Sequence, residues 1–354
     1  MMNKTIEEKL KQGAVIPAHP LALNEDKTLD ETGQRALTRY YIDAGAGGIA
    51  VGVHTTQFEI RDENMYGPVL RMALEEVREA GREEDFIKVA GLAGPVDQAV
   101  REAAFARSIG YDLGLLSMGG LDYLSEDDIL DRAKKVAGEI PLFGFYLQPA
   151  VGGRNFSYEF WKAFAEIPNV RAIKIAPFSR YQTLDVVRAV CESSRREEVA
   201  LYTGNDDTIV HDLMTTYVFD TQDGKVGKEI VGGLLGHWAI GTKAAVELFD
   251  RIKEEKRKGI FSEELMTIAQ EVTDRNAALF DARNGFKGSI AGINEVLKRQ
   301  GLLKGNWCLR EKDSLSPGQK EDIDRVLQAY PHLSDEDFVA EHVDQWKRTG
   351  ERTI

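Results

Sequence analysis

The sequence predicts an α/β protein built as a (β/α)8 TIM barrel with a C-terminal helical extension. Two observations carry this expectation. Eight short apolar runs alternate with amphipathic segments over about 240 residues, the length such a barrel needs. No G-x-G-x-x-G or P-loop pattern follows any run, whereas an open doubly wound sheet usually shows fewer units and a Gly-rich phosphate turn. The expected barrel spans 1–262, with an inserted hairpin near 217–227, and the helical extension spans 263–354.

The units read as follows. After a short N-terminal helix, Gly13-Ala-Val-Ile-Pro-Ala18 is the first strand. Leu37, Tyr40, Tyr41 and Ala44 then recur at helical spacing, and Gly45 stops that helix. Gly48-Ile-Ala-Val-Gly52 is the second strand, followed by the polar turn Val53-His-Thr-Thr-Gln57. A helix over about Pro68 to Glu79 leads to the third strand, Phe86-Ile-Lys-Val-Ala90. Val96, Val100, Ala103 and Ala104 mark the next helix, which ends near Gly110. Leu113-Gly-Leu-Leu-Ser117 is the fourth strand, and Ser125 with Asp128 forms a capping-box pattern for the helix after it. The fifth strand is Pro141-Leu-Phe-Gly-Phe-Tyr146, followed by a helix carrying Phe160, Trp161 and Phe164. Asn169 to Pro177 is the sixth, Val199-Ala-Leu-Tyr-Thr203 the seventh, and Ile230-Val-Gly-Gly-Leu-Leu-Gly-His237 the eighth. The inserted hairpin turns at Asp223-Gly224.

Composition narrows the function. The formal net charge of -13 argues against nucleic acid or an anionic membrane as the main partner. No run approaches the ~18 apolar residues of a membrane span, and the first ten residues have no apolar core of signal type. Cys191 and Cys308 fit no metal or redox spacing. Together these predict a cytoplasmic protein, and the net charge says nothing about an anionic small substrate, which feels the local field.

The sixth strand carries the chemistry. Strand side chains alternate faces, so Ala172, Lys174 and Ala176 share one face, and Ile173 and Ile175 share the other. The isoleucines suit an outer face packed on helices. The alanines leave room around the lysine on the inner one. A buried, unpaired ammonium tends to lose its proton and become a nucleophilic amine, able to form a Schiff base with a carbonyl. The alternative is a strand-end lysine that snorkels to water. Active sites of barrels lie at the carboxyl ends of the strands. That rule gathers Thr55, Thr56, Tyr146, Lys174, Asn205, Asp206, Asp207 and His237 at one mouth. Leu142, Gly144 and Tyr146 are read as facing inward, which sets Tyr146 beside Lys174, where a phenol can shuttle protons; a core aromatic is the alternative. His237 is read as inward with Gly233 and Leu235, facing a substrate hydroxyl or satisfied in the core. Asp207 is expected to cap the next helix. No ligand spacing supports a metal, and no cofactor is expected.

Phe145-Tyr146-Leu-Gln-Pro149, Gly153, and Lys174 at 28 residues after the tyrosine resemble the dihydrodipicolinate synthase / N-acetylneuraminate lyase family of class I Schiff-base aldolases. Gly13 with Pro17-Ala18, Gly45-Ala-Gly-Gly48, Gly204-Asn-Asp-Asp207 and Phe286-Lys287 with Leu297 and Gly301 also fit. The resemblance implies Lys174 and Tyr146 as catalytic residues and Thr55 and Thr56 as the carboxylate-binding turn, with His237 a substrate-binding candidate from its place at the mouth. It also implies a homo-oligomer, a tetramer. The usual Gly-Thr-Thr-Gly-Glu appears here as Gly52-Val-His-Thr-Thr-Gln57, with His54 facing the mouth. Val151 stands where synthases that take aspartate semialdehyde carry an arginine, and Ser117-Met-Gly-Gly120, with Tyr123 nearby, replaces their second tyrosine. Arg154 either meets a substrate anion or is a solvated loop residue. The reading is a lyase, aldolase or dehydratase, acting on a pyruvate-type 2-keto acid, and not an efficient dihydrodipicolinate synthase. A metal-dependent aldolase and a barrel that only binds a keto acid are the alternatives.

Overall fold

The structure is a computed structural model and describes residues 2–348; residues 349–354 of the expected extension lie outside the described residues. The strands, in chain order, are β1 (Val15–Pro17), β2 (Gly48–Val51), β3 (Ile87–Leu92), β4 (Leu113–Leu116), β5 (Leu142–Leu147), β6 (Val170–Ala176), β7 (Ala200–Thr203), β8 (Thr216–Thr221) and β9 (Gly224–Leu235). Eight of them form one parallel sheet in the order β1-β9-β7-β6-β5-β4-β3-β2. The bridge between Ala18 and Ala50 draws its two edges together, so the sheet closes into a barrel that leaves no long free edge. β8 pairs antiparallel with the first half of β9, from Thr216↔Glu229 to Thr221↔Gly224. The inserted hairpin is therefore the eighth barrel strand extended outward and folded back. Its loop is Gln222-Asp223, one residue earlier than expected, because Gly224 takes its positive φ of 95° as the first paired residue of the return strand.

The helices are α1 (Lys4–Gln12), α2 (Glu31–Asp43), α3 (Tyr66–Glu79), α4 (Val96–Ile109), α5 (Glu126–Ala137), α6 (Tyr158–Ala165), α7 (Arg180–Glu192), α8 (Ile209–Met214), α9 (Thr242–Lys258), α10 (Glu263–Leu279), α11 (Ser289–Arg299), α12 (Gln319–Ala329) and α13 (Glu336–Trp346). Local signals set their ends as expected. Gly110 ends α4 at a left-handed φ of 112° that an L side chain resists. Ser125 and Asp128 close a reciprocal capping box on α5.

Two apolar cores follow from the alternation. The barrel interior holds Ile16, Val89, Leu115, Phe143, Phe145, Ala172 and Leu234. Ile6 and Leu10 of α1 join the same cluster, and Leu10 accepts the Tyr202 hydroxyl at 2.8 Å, so α1 plugs the end opposite the mouth. The outer core holds Leu142, Tyr146, Ile173, Ile175 and Leu235 with the helices. Large Phe143 stands beside small Ala172, and Leu147 beside Ala176, which lets neighbouring strands fill the interior without overlap. The extension is tied down by polar anchors: Tyr40 donates to Asp335 at 2.7 Å, and the Trp346 indole donates to Asp43 at 2.7 Å.

Candidate active site

Lys174 projects inward from β6, as its flanking residues predicted. It is buried to 9% exposure and lines a cavity at the carboxyl ends of the strands. Its ammonium lies 4.4 Å from the centre of the Phe145 ring. Among the described residues it has no hydrogen-bond or ion-pair partner. Burial therefore pulls its pKa below the ordinary lysine value, opposed in part by the charge of Asp206. Gly204 makes room for it: a Cβ there would stand 2.4 Å from Lys174 Cε.

Asp206 sits in the turn after β7. That turn is held by Asn205, whose amide donates to Asp212 at 3.0 Å and Thr183 at 3.1 Å and whose carbonyl oxygen accepts the Phe178 N–H at 3.1 Å. From the other side, Asn276 of α10 donates to the Asp206 backbone carbonyl at 2.5 Å. The Asp206 side chain is 9% exposed, faces the same cavity as Lys174, and its Oδ1 has no hydrogen-bond partner. Burial raises its pKa, opposed first by Lys174 and then by the nearby His237 backbone. Two groups with opposite charges thus sit buried in one pocket, each pushed toward its neutral form.

The turn after β2 forms a 3-10 helix over His54–Thr56. Thr55 and His54 line the cavity, and the Thr55 hydroxyl has no hydrogen-bond partner among the described residues. Burial first, then Lys174, holds the His54 pKa down to about 4, so this ring is neutral near pH 7. The cavity, about 50 Å3, has an aromatic lining of Phe178, Phe280 and Phe286. Phe178 and Phe286 meet edge to face at 5.5 Å, and both hold left-handed backbones, φ 53° and 66°. Such conformations cost energy for bulky residues and gather at functional sites. Ser289, in the first turn of α11, also lines the cavity. The aromatic roof was not read from the sequence, and Asp206, gathered at the mouth there, was given no role beside Lys174. The roof comes from segments more than a hundred residues apart, which no local pattern joins.

Several expected members lie elsewhere. Tyr146 points outward. It packs on Trp161 at 5.0 Å and Phe156 at 5.9 Å, and its hydroxyl accepts the Phe156 N–H at 3.3 Å. The inward reading of Leu142, Gly144 and Tyr146 is corrected by the β5–β6 ladder. Leu142 pairs with Val170 but Phe143 pairs with Ala172, so Arg171 is an extra residue in β6. Above that bulge Lys174 faces Phe145, not Tyr146. His237 is corrected likewise. Val231 is an extra residue in β9 opposite β7, which turns Leu234 inward and Leu235 outward. The chain then enters a 3-10 turn over His237–Ala239, and the ring faces Trp238 and Arg275 rather than the cavity. Thr56 is fully buried; its hydroxyl donates to the His19 carbonyl at 2.6 Å and accepts the Gly52 N–H at 2.9 Å, staples that leave it outside the cavity lining. Arg154 donates to the Leu124 carbonyl at 2.8 Å and stacks on Phe156 at 5.2 Å, so it braces a loop. Asp207 makes no cap; Thr208 is the N-cap of α8, without a side-chain bond.

Fold and site together define a (β/α)8 barrel with a desolvated lysine at its mouth. The chain belongs to the dihydrodipicolinate synthetase family, which matches residues 11–220. It is 28% identical over 208 residues to a 4-hydroxy-tetrahydrodipicolinate synthase of Methylococcus capsulatus. That match covers 56% of this chain and 65% of that protein's length, so the chain spans about two thirds of it. Dihydrodipicolinate synthase from Oceanobacillus iheyensis superposes with a TM-score of 0.73 at 18% identity, over 92% of this chain and 99% of that one. N-acetylneuraminate lyase from Fusobacterium nucleatum gives 0.70 at 19%, over 91% and 99%. At these identities the structural likeness shows the fold. Among the described residues no helix is long and apolar enough to cross a membrane.

Proposed function

We propose that this protein is a class I Schiff-base lyase, aldolase or dehydratase, acting on a pyruvate-type 2-keto acid through Lys174. The observation that carries the reading is the state of that lysine. It is inside the barrel, turned to a cavity, without an ion-pair partner among the described residues, and so disposed to present a free amine. Family membership agrees with it. In this reading the Thr55 hydroxyl and the first turn of α11 at Ser289 receive the keto-acid carboxylate; a helix N-terminus favours an anion.

The second half of the substrate is read from the walls. Val151 lines the cavity at the position where an arginine would pair a carboxylate, and a valine offers no such contact. With Phe178, Phe280 and Phe286 above, the space favours an apolar group over a polyol or a second carboxylate. Family resemblance alone leads us to expect a homotetramer, and composition leads us to expect a cytoplasmic protein.

The test is borohydride reduction in the presence of pyruvate. It should add a three-carbon acid to the peptide bearing Lys174 and none to Lys174→Ala. Labelling that survives in Lys174→Ala refutes the assignment.

A further inference from the structure

The cavity poses a problem for that chemistry. Making an imine from a ketone moves protons onto the departing oxygen, and among the described residues no phenol lines the lysine's cavity, Tyr123 reaching only the pocket adjoining it. Tyr146 is in the outer core. Tyr202, the phenol that does face inward, spends its hydroxyl on Leu10 at the far end of the barrel. The ring beside the lysine is Phe145, which has no acidic proton to give. Of the residues lining the cavity, only His54, Lys174 and Asp206 are titratable.

We infer that Asp206 is the acid–base residue of this site, occupying the role that a tyrosine on β5 would otherwise fill. The inference rests on Lys174 being the nucleophile. It stands on placement: Asp206 lines the lysine's own cavity, it is nine-tenths buried, and its Oδ1 is unpartnered and unused by the fold. The Asn205 and Asn276 hydrogen bonds fix the turn that carries it, and the His237 backbone holds the carboxyl from one side while Oδ1 stays unpartnered. Its raised pKa agrees, since burial favours the protonated, donating form. His54 is less suited, because burial and Lys174 both oppose its protonation.

The steps balance. The Lys174 amine adds to the keto carbon, forming the C–N bond, while the carbonyl electron pair moves to oxygen and the proton leaving nitrogen passes to that oxygen. Protonated Asp206 then gives its proton to the carbinolamine hydroxyl, the C–O bond breaks, and water departs. Iminium and carboxylate remain. The carboxylate next takes a proton from C3, giving the neutral enamine and the acid again; reversal of that step returns the proton to carbon.

Exchange of the pyruvate methyl protons in D2O, followed by NMR, reads this without a second substrate. Positioned acid–base groups contribute roughly 10²–10⁴-fold, so Asp206→Asn should slow exchange by about 100-fold or more. Phe145→Tyr in that background adds a hydroxyl to the ring already against the lysine, and should recover about tenfold, well inside that range; a purely structural role for Asp206 would not be rescued so. Wild-type exchange in Asp206→Asn overturns the inference and leaves Lys174 standing. Absence of borohydride trapping at Lys174 in the wild type overturns both. Tyr146→Phe keeps the argument testable should Asp206→Asn fail to fold: it should exchange at the wild-type rate, and a 100-fold loss there overturns the inference.

Discussion

Gly204→Ala offers a direct test of how closely the lysine is held. The added Cβ would lie 2.4 Å from Lys174 Cε, 2.8 Å from Ala176 Cβ and 3.0 Å from Lys174 Cγ. Carbon atoms prefer about 3.5–4.0 Å, so the lysine stem must retreat by roughly 1 Å. Ala176 has no rotamer to yield, and its strand is laddered to β5 and β7. Overpacking of this kind costs about 1–3 kcal/mol. Gly204 lacks a positive φ, so loss of unfolded-state freedom returns about 0.4–1 kcal/mol. A net loss of about 1–2 kcal/mol leaves a domain of ordinary stability folded. The chemistry should suffer more, because a misplacement of about 1 Å can cost roughly 100-fold in rate. Urea unfolding gives the first quantity. The rate of pyruvate-dependent borohydride labelling gives the second. A variant that is modestly destabilised yet labels at the wild-type rate would show that Gly204 does not set the lysine's position.

Two further outcomes follow from the same coordinates. His19 is fully buried between Thr38 and Pro20, and burial lowers its pKa from 6.5 to about 4. The unfolded chain then takes up the proton first, so stability is full above pH 6.5 and declines as pH falls to about 4, by about 3 kcal/mol at 1.36 kcal/mol per unit. His19→Gln should lose that slope in unfolding titrations; a parallel slope refutes it. Separately, condensation of pyruvate with aspartate semialdehyde should be slow in a coupled reductase assay, because Val151 offers the second carboxylate nothing; robust turnover would refute the reading of the cavity wall.

Much of the barrel was legible because its signals are local. Each strand is a short apolar run, and each helix carries its own periodicity and cap. Gly110 and the Ser125–Asp128 pair mark their helix ends without reference to anything distant. Lys174's inward direction was legible for the same reason: alternation within one strand needs no partner. What stayed hidden depended on contacts between segments. The roof of Phe178, Phe280 and Phe286 forms only when the extension packs over the barrel. Thr56 and Thr55 are identical in type and adjacent, and only the path of the turn decides that one staples the backbone while the other faces the cavity.

The tyrosine shows why spacing is not geometry. A separation of 28 residues puts Tyr146 opposite Lys174 only if the ladder between β5 and β6 runs without interruption. Here the offset between partners changes from 28 (142 to 170) to 29 (143 to 172), and one such step reverses every side chain above it. β5 gave no warning, since Leu-Phe-Gly-Phe-Tyr-Leu is apolar on both faces, as a strand covered on both sides must be. One mark was present: Gly144 has Phe164 of α6 where its Cβ would be, at 2.5 Å, so the glycine belongs to the helix-facing side, and Tyr146 with it. A polar Arg171 at the foot of an otherwise apolar β6 is the residue the bulge puts out of register. The consequence is chemical. With Phe145 turned to the lysine, the proposed chemistry draws its proton-moving group from another strand, and the β7 turn, opened by Gly204 and braced by Asn205, brings a carboxyl into the same cavity.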